Sequence, residues 1–325
     1  MQRSQIVGTG SYAPARILTN QELAARIDTS DEWITTRTGI KERHLAAEGE
    51  QTSDMAVAAA KNALEMAGLV AKDLDLVIVG TISGDMPMPA TAAFVAHKLG
   101  IRCPAFDVSA ACAGSVYGLS IADQFVKTGH KKRVLVVGVE LLSRLLDWQD
   151  RNTCVLFGDA AGAMIVAPSS TDRGILSTHI WADGSQTGIL NIPGGGSLHP
   201  ASHEMIDQRL DKVKMQGREV YKFAIRALTE VVLEALNANG LGIADVDHLV
   251  PHQANIRIVE QVMQKLGLSA EKAILNIDRY GNTSSASVPV TLDEGVRSGR
   301  IKSGDLVAMM AIGAGMTWGS ALVRW

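Results

Sequence analysis

The strongest constraint on the fold is that the second half of this 325-residue chain repeats short segments of the first half in the same order. Each pair of matching segments is separated by about 170 residues. A shift of that length indicates duplication of a domain-sized unit, and not the short period of a solenoid. The matching segments are DLDLVIV at 73–79 and DVDHLV at 245–250, HKLG at 97–100 and QKLG at 264–267, and KTG at 127–129 and RSG at 297–299.

Within the first half, apolar runs alternate with helical stretches. The Ala-rich stretch 54–66 predicts a helix that is capped by Ser53 and closed by Gly68, and residues 113–127 predict a second helix. We expect an α/β fold of two pseudo-symmetric βαβ-type halves, divided as 1–172 and 173–325. The predicted strands are 74–80, 105–108, 133–139 and 163–166.

Composition excludes several classes of protein. A net charge of −3 supplies no basic field, so we expect no nucleic-acid partner. The apolar runs are too short to cross a bilayer and the first residues lack a signal peptide, so we expect no membrane association. Three cysteines without regular spacing predict a reducing, cytoplasmic environment.

Cys112 lies among small residues, in the segment SAACAGS at 109–115, where a predicted strand gives way to a predicted helix. Small side chains permit a sharp turn, and a helix N-terminus lowers the pKa of a thiol toward the reactive thiolate. A lone cysteine is more often a small buried apolar residue. A nucleophilic Cys112 therefore requires partners elsewhere in the chain.

The internal shift supplies the first partner. Adding about 170 to Cys112 leads to the small-residue segment GNTSSAS at 281–287, which contains Asn282. A duplicated α/β pair forms its site between the halves, at the ends of the central strands. His252 follows a predicted strand at 246–250 and is therefore placed at the same edge.

These three side-chain types favour carbon–carbon bond formation. A thiolate takes up an acyl group as a thioester. A histidine and a neutral amide together donate two hydrogen bonds to one oxygen, and so stabilise the enolate that decarboxylation of a second substrate generates. Attack of the resulting carbanion on the Cys112 thioester forms the bond.

The chain resembles the thiolase superfamily, and within it the β-ketoacyl-(acyl carrier protein) synthase III family of condensing enzymes. The resemblance covers essentially the whole chain and implies a thiolase-like fold with a layered α-β-α-β-α core. The motifs that carry it are TSDEWI at 29–34, RTGI at 37–40, ACAG at 111–114, FGD at 157–159, HQAN at 252–255, GNTS at 281–284 and TWGSALV at 317–323.

The resemblance implies an enzyme that initiates fatty acid synthesis. Cys112 would take the acyl group from an acyl-CoA, and His252 and Asn282 would assist decarboxylation of malonyl-(acyl carrier protein). The oxyanion would sit against the backbone N–H groups of Cys112 and Ala314. Relatives usually have glycine where this chain has Ala314, which would be strained if the backbone angle required glycine.

The resemblance also implies binding residues. Trp33 and Arg151 would bracket the CoA adenine, Arg37 would lie near the phosphates, and Tyr221 and Asn255 would line the pantetheine tunnel. Carrier-protein docking would involve Arg257, Lys222 and Lys265, and the acyl pocket would involve Met88, from across a homodimer interface, and Ile312. CoA thioesters would be substrates, and no cofactor is expected.

Two further features have weaker implications. The Gly-rich stretch from 193 to 215 predicts a long loop that helps to gate the tunnel. His199 and His203, with Glu204, have helix-like spacing for a metal pair but lack further ligands, so we expect no metal.

Three alternatives remain open. A thiolase needs a second cysteine in the C-terminal turn, and residues 312–316 contain none. A secondary-metabolite condensing or acyl-transfer homologue would use the same three residues, and a non-catalytic acyl-CoA-binding protein could retain the fold. The starter acyl group is not determined by the sequence.

Overall fold

The computed structural model describes residues 3–325, in which two mixed β-sheets alternate with three layers of helices. The strands are β1 (Ser4–Tyr12), β2 (Arg16–Thr19), β3 (Glu42–Leu45), β4 (Leu76–Gly80), β5 (Ala105–Val108), β6 (Val134–Glu140), β7 (Ala160–Pro168), β8 (Gly174–Ala182), β9 (Leu190–Asn191), β10 (Lys214–Met215), β11 (His248–Pro251), β12 (Leu306–Gly313) and β13 (Thr317–Arg324).

The helices belong to both halves of the chain. They are α1 (Asn20–Ala24), α2 (Asp31–Thr38), α3 (Thr52–Ala67), α4 (Thr91–Lys98), α5 (Gly114–Lys127), α6 (Arg151–Cys154), α7 (His203–Asp207), α8 (Gly217–Ala238), α9 (Ile256–Leu266), α10 (Ile277–Tyr280) and α11 (Ser287–Arg297). Within residues 3–325, none of these helices combines the length and apolarity needed to cross a bilayer.

The sheet topology repeats between the halves. The first sheet has the order β1-β7-β6-β4-β5. In it, β4 is parallel to β5 and β6, β7 is antiparallel to β6, and β1 is antiparallel to β7. The second sheet has the order β11-β12-β13-β8. In it, β11 is parallel to β12, β13 is antiparallel to β12, and β8 is antiparallel to β13. A single parallel bridge from Leu249 to Ala273 stands where β5 pairs with β4 in the first sheet.

The central layer holds α5 and α11, each of which contacts both sheets. Apolar side chains from both sheets and both helices form one core between them, as Val136, Leu119, Leu292 and Met309 illustrate. Helices α3 and α4 cover the outer face of the first sheet, and α8 and α9 cover that of the second. The implied α-β-α-β-α thiolase fold is therefore confirmed.

Most predicted elements of the first half are present, with one error at a cap. Helix α3 begins at Thr52 after Gln51, and Ser53 lies inside its first turn. The Ser53 hydroxyl donates instead to the Asp85 carboxylate (2.6 Å). Gly68 closes the helix with a left-handed φ of 64°, as predicted. The division at residue 172 stays a prediction.

Candidate active site

Cys112 lies on a tight turn between β5 and α5. Ala111 adopts a left-handed φ of 45°, and the 3₁₀ turn Ala111–Ala113 leads directly into α5. The end of β12 packs against this turn, since a Cβ on Gly313 would come within 2.5 Å of the Cys112 backbone nitrogen. The thiol is therefore buried at the junction of the two sheets.

Asn282 lies on the corresponding turn of the second half. Ser284 has a φ of 50°, and the 3₁₀ turn Ser284–Ala286 leads into α11. The Asn282 backbone is held by Leu156 O (2.8 Å) and Gly158 N (3.0 Å). Because Ser284 N–H donates to Asn282 Oδ1 (2.9 Å), the amide oxygen is occupied and the NH₂ group is the available donor.

His252 directly follows β11, as the sequence predicted, and its ring is buried. Nδ1 lies 2.6 Å from Ser287 Oγ, which in turn lies 2.8 Å from the Ser284 carbonyl oxygen. Ser287 therefore connects the imidazole to the turn that carries Asn282. Sequence reasoning had not singled out Ser287.

The structure brings Cys112, His252 and Asn282 together. All three line one cavity of about 130 Å³, which we name the inner cavity, and Tyr221 and Asn255 line it as well. The predicted convergence of the two small-residue turns and the strand end is therefore present in the structure. The assignment of chemical roles to these residues stays a prediction.

Burial sets the protonation states of the reactive groups. Desolvation raises the pKa of the Cys112 thiol to about 12; the polar Ser284 side chain opposes this shift, and the Glu140 charge adds to it. Desolvation lowers the pKa of His252 to about 3, so the imidazole is neutral at physiological pH. The expected lowering of the thiol pKa by the helix N-terminus stays a prediction.

A second cavity lies beyond the thiol. It measures about 250 Å³, and Cys112, Ser284 and Ala314 form part of its wall. We name it the apolar cavity because its remaining wall is almost entirely hydrocarbon. Those residues are Ile82, Ala111, Leu142, Phe157, Leu190, Ile192 and Val213, with Asn191.

Ala314 fits the predicted position beside Cys112. Its φ is not among the positive values of residues 3–325, so the strain expected from replacing glycine does not arise. The Ala314 N–H donates no hydrogen bond within the described chain, whereas the Ala314 carbonyl accepts one from Thr317. The amide is therefore available to an oxygen in the cavity.

Neither Met88 nor Ile312, the two residues that the resemblance assigns to the acyl pocket, lines the apolar cavity. Ile312 instead lines the inner cavity with His252. Met88 is 83% exposed and lines neither cavity. Its contact with an acyl group across a dimer interface stays a prediction. The sequence signal for the wall of the apolar cavity was the apolar residues Leu190, Ile192 and Val213.

An outer cavity of about 870 Å³ opens to the surface beside Trp33, Arg37 and Arg257. It shares Tyr221 and Asn255 with the inner cavity, so one channel leads from the surface to Cys112. The guanidinium carbons of Arg37 and Arg151 lie 4.6 Å and 4.8 Å from the Trp33 ring centroid. The predicted aromatic and cationic groups therefore surround the mouth of this channel.

Basic side chains flank the same mouth. Arg257 lines the outer cavity and donates to Thr36 O, while the exposed Lys222 pairs with Glu219 (3.1 Å) one residue from Tyr221. Lys265 lies at the far end of α9, about 12 Å along the helix axis from Arg257, and lines none of these cavities. Arg218, which sequence reasoning missed, lines the outer cavity.

Within residues 3–325, no group of three or more His, Cys, Asp or Glu side chains is arranged to hold a metal ion. His203 is the first residue of α7, and His199 lies in the exposed loop before it.

Comparison with protein families gives two matches. Residues 106–184 match the model described as 3-oxoacyl-[acyl-carrier-protein (ACP)] synthase III, and residues 236–325 match the model of its C-terminal region. The first match contains Cys112, and the second contains His252 and Asn282.

Individual relatives cover nearly the whole chain. The beta-ketoacyl-[acyl-carrier-protein] synthase III of Paramagnetospirillum magneticum is 53% identical over 99% of both chains. The crystal structure of 3-oxoacyl-[acyl-carrier-protein] synthase III from Aquifex aeolicus is 46% identical, with a TM-score of 0.92 over 99% of this chain and 100% of that one. A priming beta-ketosynthase from the R1128 polyketide biosynthetic pathway has the same TM-score, 0.92, at 36% identity over 99% and 96% of the two chains.

Proposed function

The chain belongs to the 3-oxoacyl-[acyl-carrier-protein] synthase III family, and from that premise we propose how its residues perform the condensation that initiates fatty acid synthesis. The enzyme is an acyltransferase that joins an acyl-CoA starter to malonyl-(acyl carrier protein). The observation that carries the residue assignment is that Cys112, His252 and Asn282 line one buried cavity.

In the first half-reaction, Cys112 takes the acyl group. Its sulfur attacks the thioester carbonyl of acyl-CoA, the carbon–sulfur bond to CoA breaks, and CoA leaves as a thiol. The negative oxygen of the tetrahedral intermediate accepts hydrogen bonds from the N–H groups of Cys112 and Ala314. The acyl chain then occupies the apolar cavity, whose wall adjoins the thiol.

In the second half-reaction, malonyl-(acyl carrier protein) loses carbon dioxide. The Asn282 NH₂ group and His252 Nε2–H donate to the malonyl thioester oxygen and stabilise the enolate. Donation from His252 Nε2 requires the single Ser287 hydroxyl proton to point at His252 Nδ1 (2.6 Å) and not at the Ser284 carbonyl oxygen (2.8 Å). The enolate carbon attacks the acyl-Cys112 carbonyl, and loss of the Cys112 thiolate gives 3-ketoacyl-(acyl carrier protein).

A neutral site favours this step. His252 holds no positive charge at physiological pH because burial lowers its pKa to about 3. An uncharged imidazole and an amide donate hydrogen bonds without transferring a proton to the enolate carbon. The carbanion therefore survives to attack the thioester.

The outer cavity suits CoA. We propose that adenine stacks beside Trp33 and Arg151, that Arg37 binds phosphate, and that pantetheine passes Tyr221 and Asn255. Arginine binds phosphate bidentately and stacks on aromatic planes. We assign Arg257 and Lys222, and at a greater distance Lys265, to the acidic carrier protein.

We further propose a cytoplasmic homodimer that uses no resident cofactor. The free thiols Cys103, Cys112 and Cys154 suit a reducing compartment. Within residues 3–325, the edge strand β5 pairs only with β4, and its four residues are half-buried. Such an edge is a template for pairing with a second copy.

The alternative of a secondary-metabolite condensing enzyme is less favoured. The polyketide priming enzyme is 36% identical, compared with 53% for the relative from Paramagnetospirillum. A reaction of malonyl-(acyl carrier protein) with a panel of acyl-CoAs decides the question. We expect 3-ketoacyl-(acyl carrier protein) by mass spectrometry, with Cys112→Ala inactive and Cys103→Ala active.

Release of an ester or amide product, or full activity of Cys112→Ala, would refute the proposed mechanism. The same panel identifies the starter, since the acyl-CoA with the largest kcat/KM is the one that fits the apolar cavity. We expect acetyl-CoA to be used.

A further inference from the structure

Glu140 is a fully buried carboxylate that the proposed mechanism does not use. It ends β6, and its Oε2 accepts hydrogen bonds from Ile82 N (3.1 Å), Ser83 Oγ (2.6 Å) and Thr81 Oγ1 (3.3 Å). Its other oxygen, Oε1, accepts one from Ser284 Oγ (3.2 Å). A buried carboxylate is costly unless hydrogen bonds compensate its charge. Glu140 therefore fastens the three consecutive residues that follow β4 to the end of β6.

Ser83 ties the same residues to the chain that follows Glu140. Its hydroxyl oxygen accepts a hydrogen bond from Leu141 N (2.8 Å) while the hydroxyl donates to Glu140. The segments 81–83 and 141–142 are thus held side by side by one carboxylate and one hydroxyl. We name these two segments together the partition.

The partition lies between the apolar cavity and a groove of about 540 Å³. Ile82 lines both spaces. Leu142 lines the apolar cavity, whereas the preceding residue, Leu141, lines the groove. The two spaces therefore adjoin at the partition, and its displacement would join them into one.

The groove offers apolar contacts to an acyl chain. Met86, Pro87 and Leu145 form part of its wall. Its charged side chains already have hydrogen-bonding partners within the chain; they are Asp85, Asp107 and Arg144. A long acyl chain that passed the partition would therefore bury its terminal methylenes against hydrocarbon.

The contact with Ser284 connects Glu140 to a second part of the apolar cavity wall. Ser284 lies on the turn that leads into α11, and it lines the apolar cavity together with Ile82. These two wall residues are hydrogen-bonded to different oxygens of one carboxylate. Glu140 therefore sets the spacing between a wall residue from the first half of the chain and one from the second.

We propose that Glu140 is a positioning residue that limits the length of the acyl starter by holding the partition closed. It acts through the backbone of Ile82 and the hydroxyl of Ser83. With the carboxylate in place, the acyl chain on Cys112 ends within the apolar cavity. Without it, the segment 81–83 is released and a longer chain enters the groove. The inference rests on the proposed acylation of Cys112 and on the apolar cavity as the site of the acyl chain.

The test is kcat/KM for straight-chain acyl-CoAs from acetyl-CoA to decanoyl-CoA, with malonyl-(acyl carrier protein) as the second substrate. For the wild type, we expect kcat/KM to fall as the chain lengthens. For Glu140→Ala, we expect the ratio of kcat/KM for decanoyl-CoA to that for acetyl-CoA to rise at least about tenfold. A variant that is merely less stable loses activity with every acyl-CoA alike, so its ratio stays at the wild-type value.

Three further variants separate hydrogen bonding from charge. In Glu140→Gln, the amide oxygen can accept from the segment 81–83 and the NH₂ group can donate to Ser284 Oγ, so we expect the wild-type ratio. Ser83→Ala removes the 2.6 Å hydrogen bond to Glu140, and we expect a smaller rise in the ratio. Ser120→Ala is the matched control, because it removes a buried hydroxyl that contacts Thr178 Oγ1 (2.8 Å) instead. We expect it to keep the wild-type ratio.

Several results would overturn the inference. They are a wild type that uses decanoyl-CoA as readily as acetyl-CoA, an unchanged ratio in Glu140→Ala, and an equal rise in Glu140→Gln, which would assign the effect to charge. A raised ratio in Met88→Ala but not in Glu140→Ala would place the limit across the proposed dimer interface and also overturn it.

Folding and the proposed function are tested separately. If Glu140→Ala does not fold, as judged by circular dichroism, the ratio for Ser83→Ala decides the outcome. A wild type that turns over no acyl-CoA refutes the proposed function, and this inference with it. An active wild type whose variants all keep the same ratio refutes this inference alone.

Discussion

Burial controls chemistry at the scale of single residues. The imidazole of His252 and the thiol of Cys112 are both held in their neutral forms by desolvation. The resting site therefore contains no thiolate–imidazolium pair of the kind found where histidine activates a cysteine. Under the proposed assignment, different groups serve acylation and decarboxylation, so each step can be impaired separately.

Asn282→Asp tests this separation. An aspartate oxygen can still accept from Ser284 N–H, as Asn282 Oδ1 does at 2.9 Å, but the NH₂ donor is lost and a charge opposes the enolate. We expect carbon dioxide release to fall by about 10²–10³-fold while Cys112 remains acylated by acyl-CoA. Quenched-flow measurement of both steps checks this. Equal loss of both would contradict the assigned role.

The sequence located the reactive residues better than the residues that support them. Internal duplication paired the turns of Cys112 and Asn282, and a strand end placed His252. Ser287 and Ser284 were missed because serine is common in small-residue turns and nothing in a sequence tells which hydroxyl meets an imidazole or a carboxylate. Glu140 did leave a signal, since it is the one charged residue of the apolar run VLVVGVE at 134–140.

At the scale of elements, close backbone approach holds the two reactive turns together. A Cβ on Gly138 of β6 would lie 2.1 Å from the Ser285 carbonyl oxygen, and one on Gly80 of β4 would lie 2.6 Å from the Gly114 carbonyl carbon. Glycine at these strand positions lets α5 and α11 begin directly over the sheet. The sequence predicted the strands. The need for glycine at these positions arises from contacts between segments that are distant in the sequence.

Gly138→Ala should therefore weaken the fold. Overpacking of this kind costs about 1–3 kcal/mol, and it should also displace the turn that carries Ser284. Gly188→Ala is the matched control, because a Cβ there meets nothing within 4 Å. Urea unfolding followed by circular dichroism gives both values. Equal stability of the two variants would contradict the close contact.

The long loop predicted at 193–215 forms part of the cavity walls. Its two ends pair as β9 and β10, Val213 lines the apolar cavity, and Met215 lines the inner and outer cavities. The tip, by contrast, is exposed at Leu198. The residues at the C-terminal end of the loop thus form part of the channel wall, which the sequence alone did not reveal.

Shortening the exposed tip at residues 196–198 tests the predicted gating. If the loop gates the channel, we expect altered kcat/KM for acyl-CoA with little change in melting temperature. Steady-state kinetics across acyl-CoAs of increasing length provides the measurement. Unchanged kinetics and starter range would leave the loop as a static wall.

At the scale of the whole molecule, the site combines residues from both sides of the predicted division at residue 172. Cys112 comes from the first half, and His252 and Asn282 come from the second. In the proposed dimer, the open edge of β5 would pair with a second copy of the chain. In parallel pairing with β4, the N–H groups of Ala105 and Asp107 face away from the sheet.

Ala105→Pro tests the dimer. Proline is tolerated on an edge strand but removes the outward N–H that a second copy would use. We expect a dimer for the wild type and a folded monomer, or a much weaker dimer, for the variant by analytical ultracentrifugation. A monomeric wild type would contradict the proposed assembly.

The most direct test of the central claim is mass spectrometry of the protein after incubation with acetyl-CoA alone. We predict one added acetyl group, located on the peptide that contains Cys112 and removed when malonyl-(acyl carrier protein) is added, with simultaneous formation of 3-ketoacyl-(acyl carrier protein). Cys112→Ala should remain unlabelled. Acetylation at another residue, or condensation without any acetylated Cys112 intermediate, would contradict Cys112 as the acyl carrier.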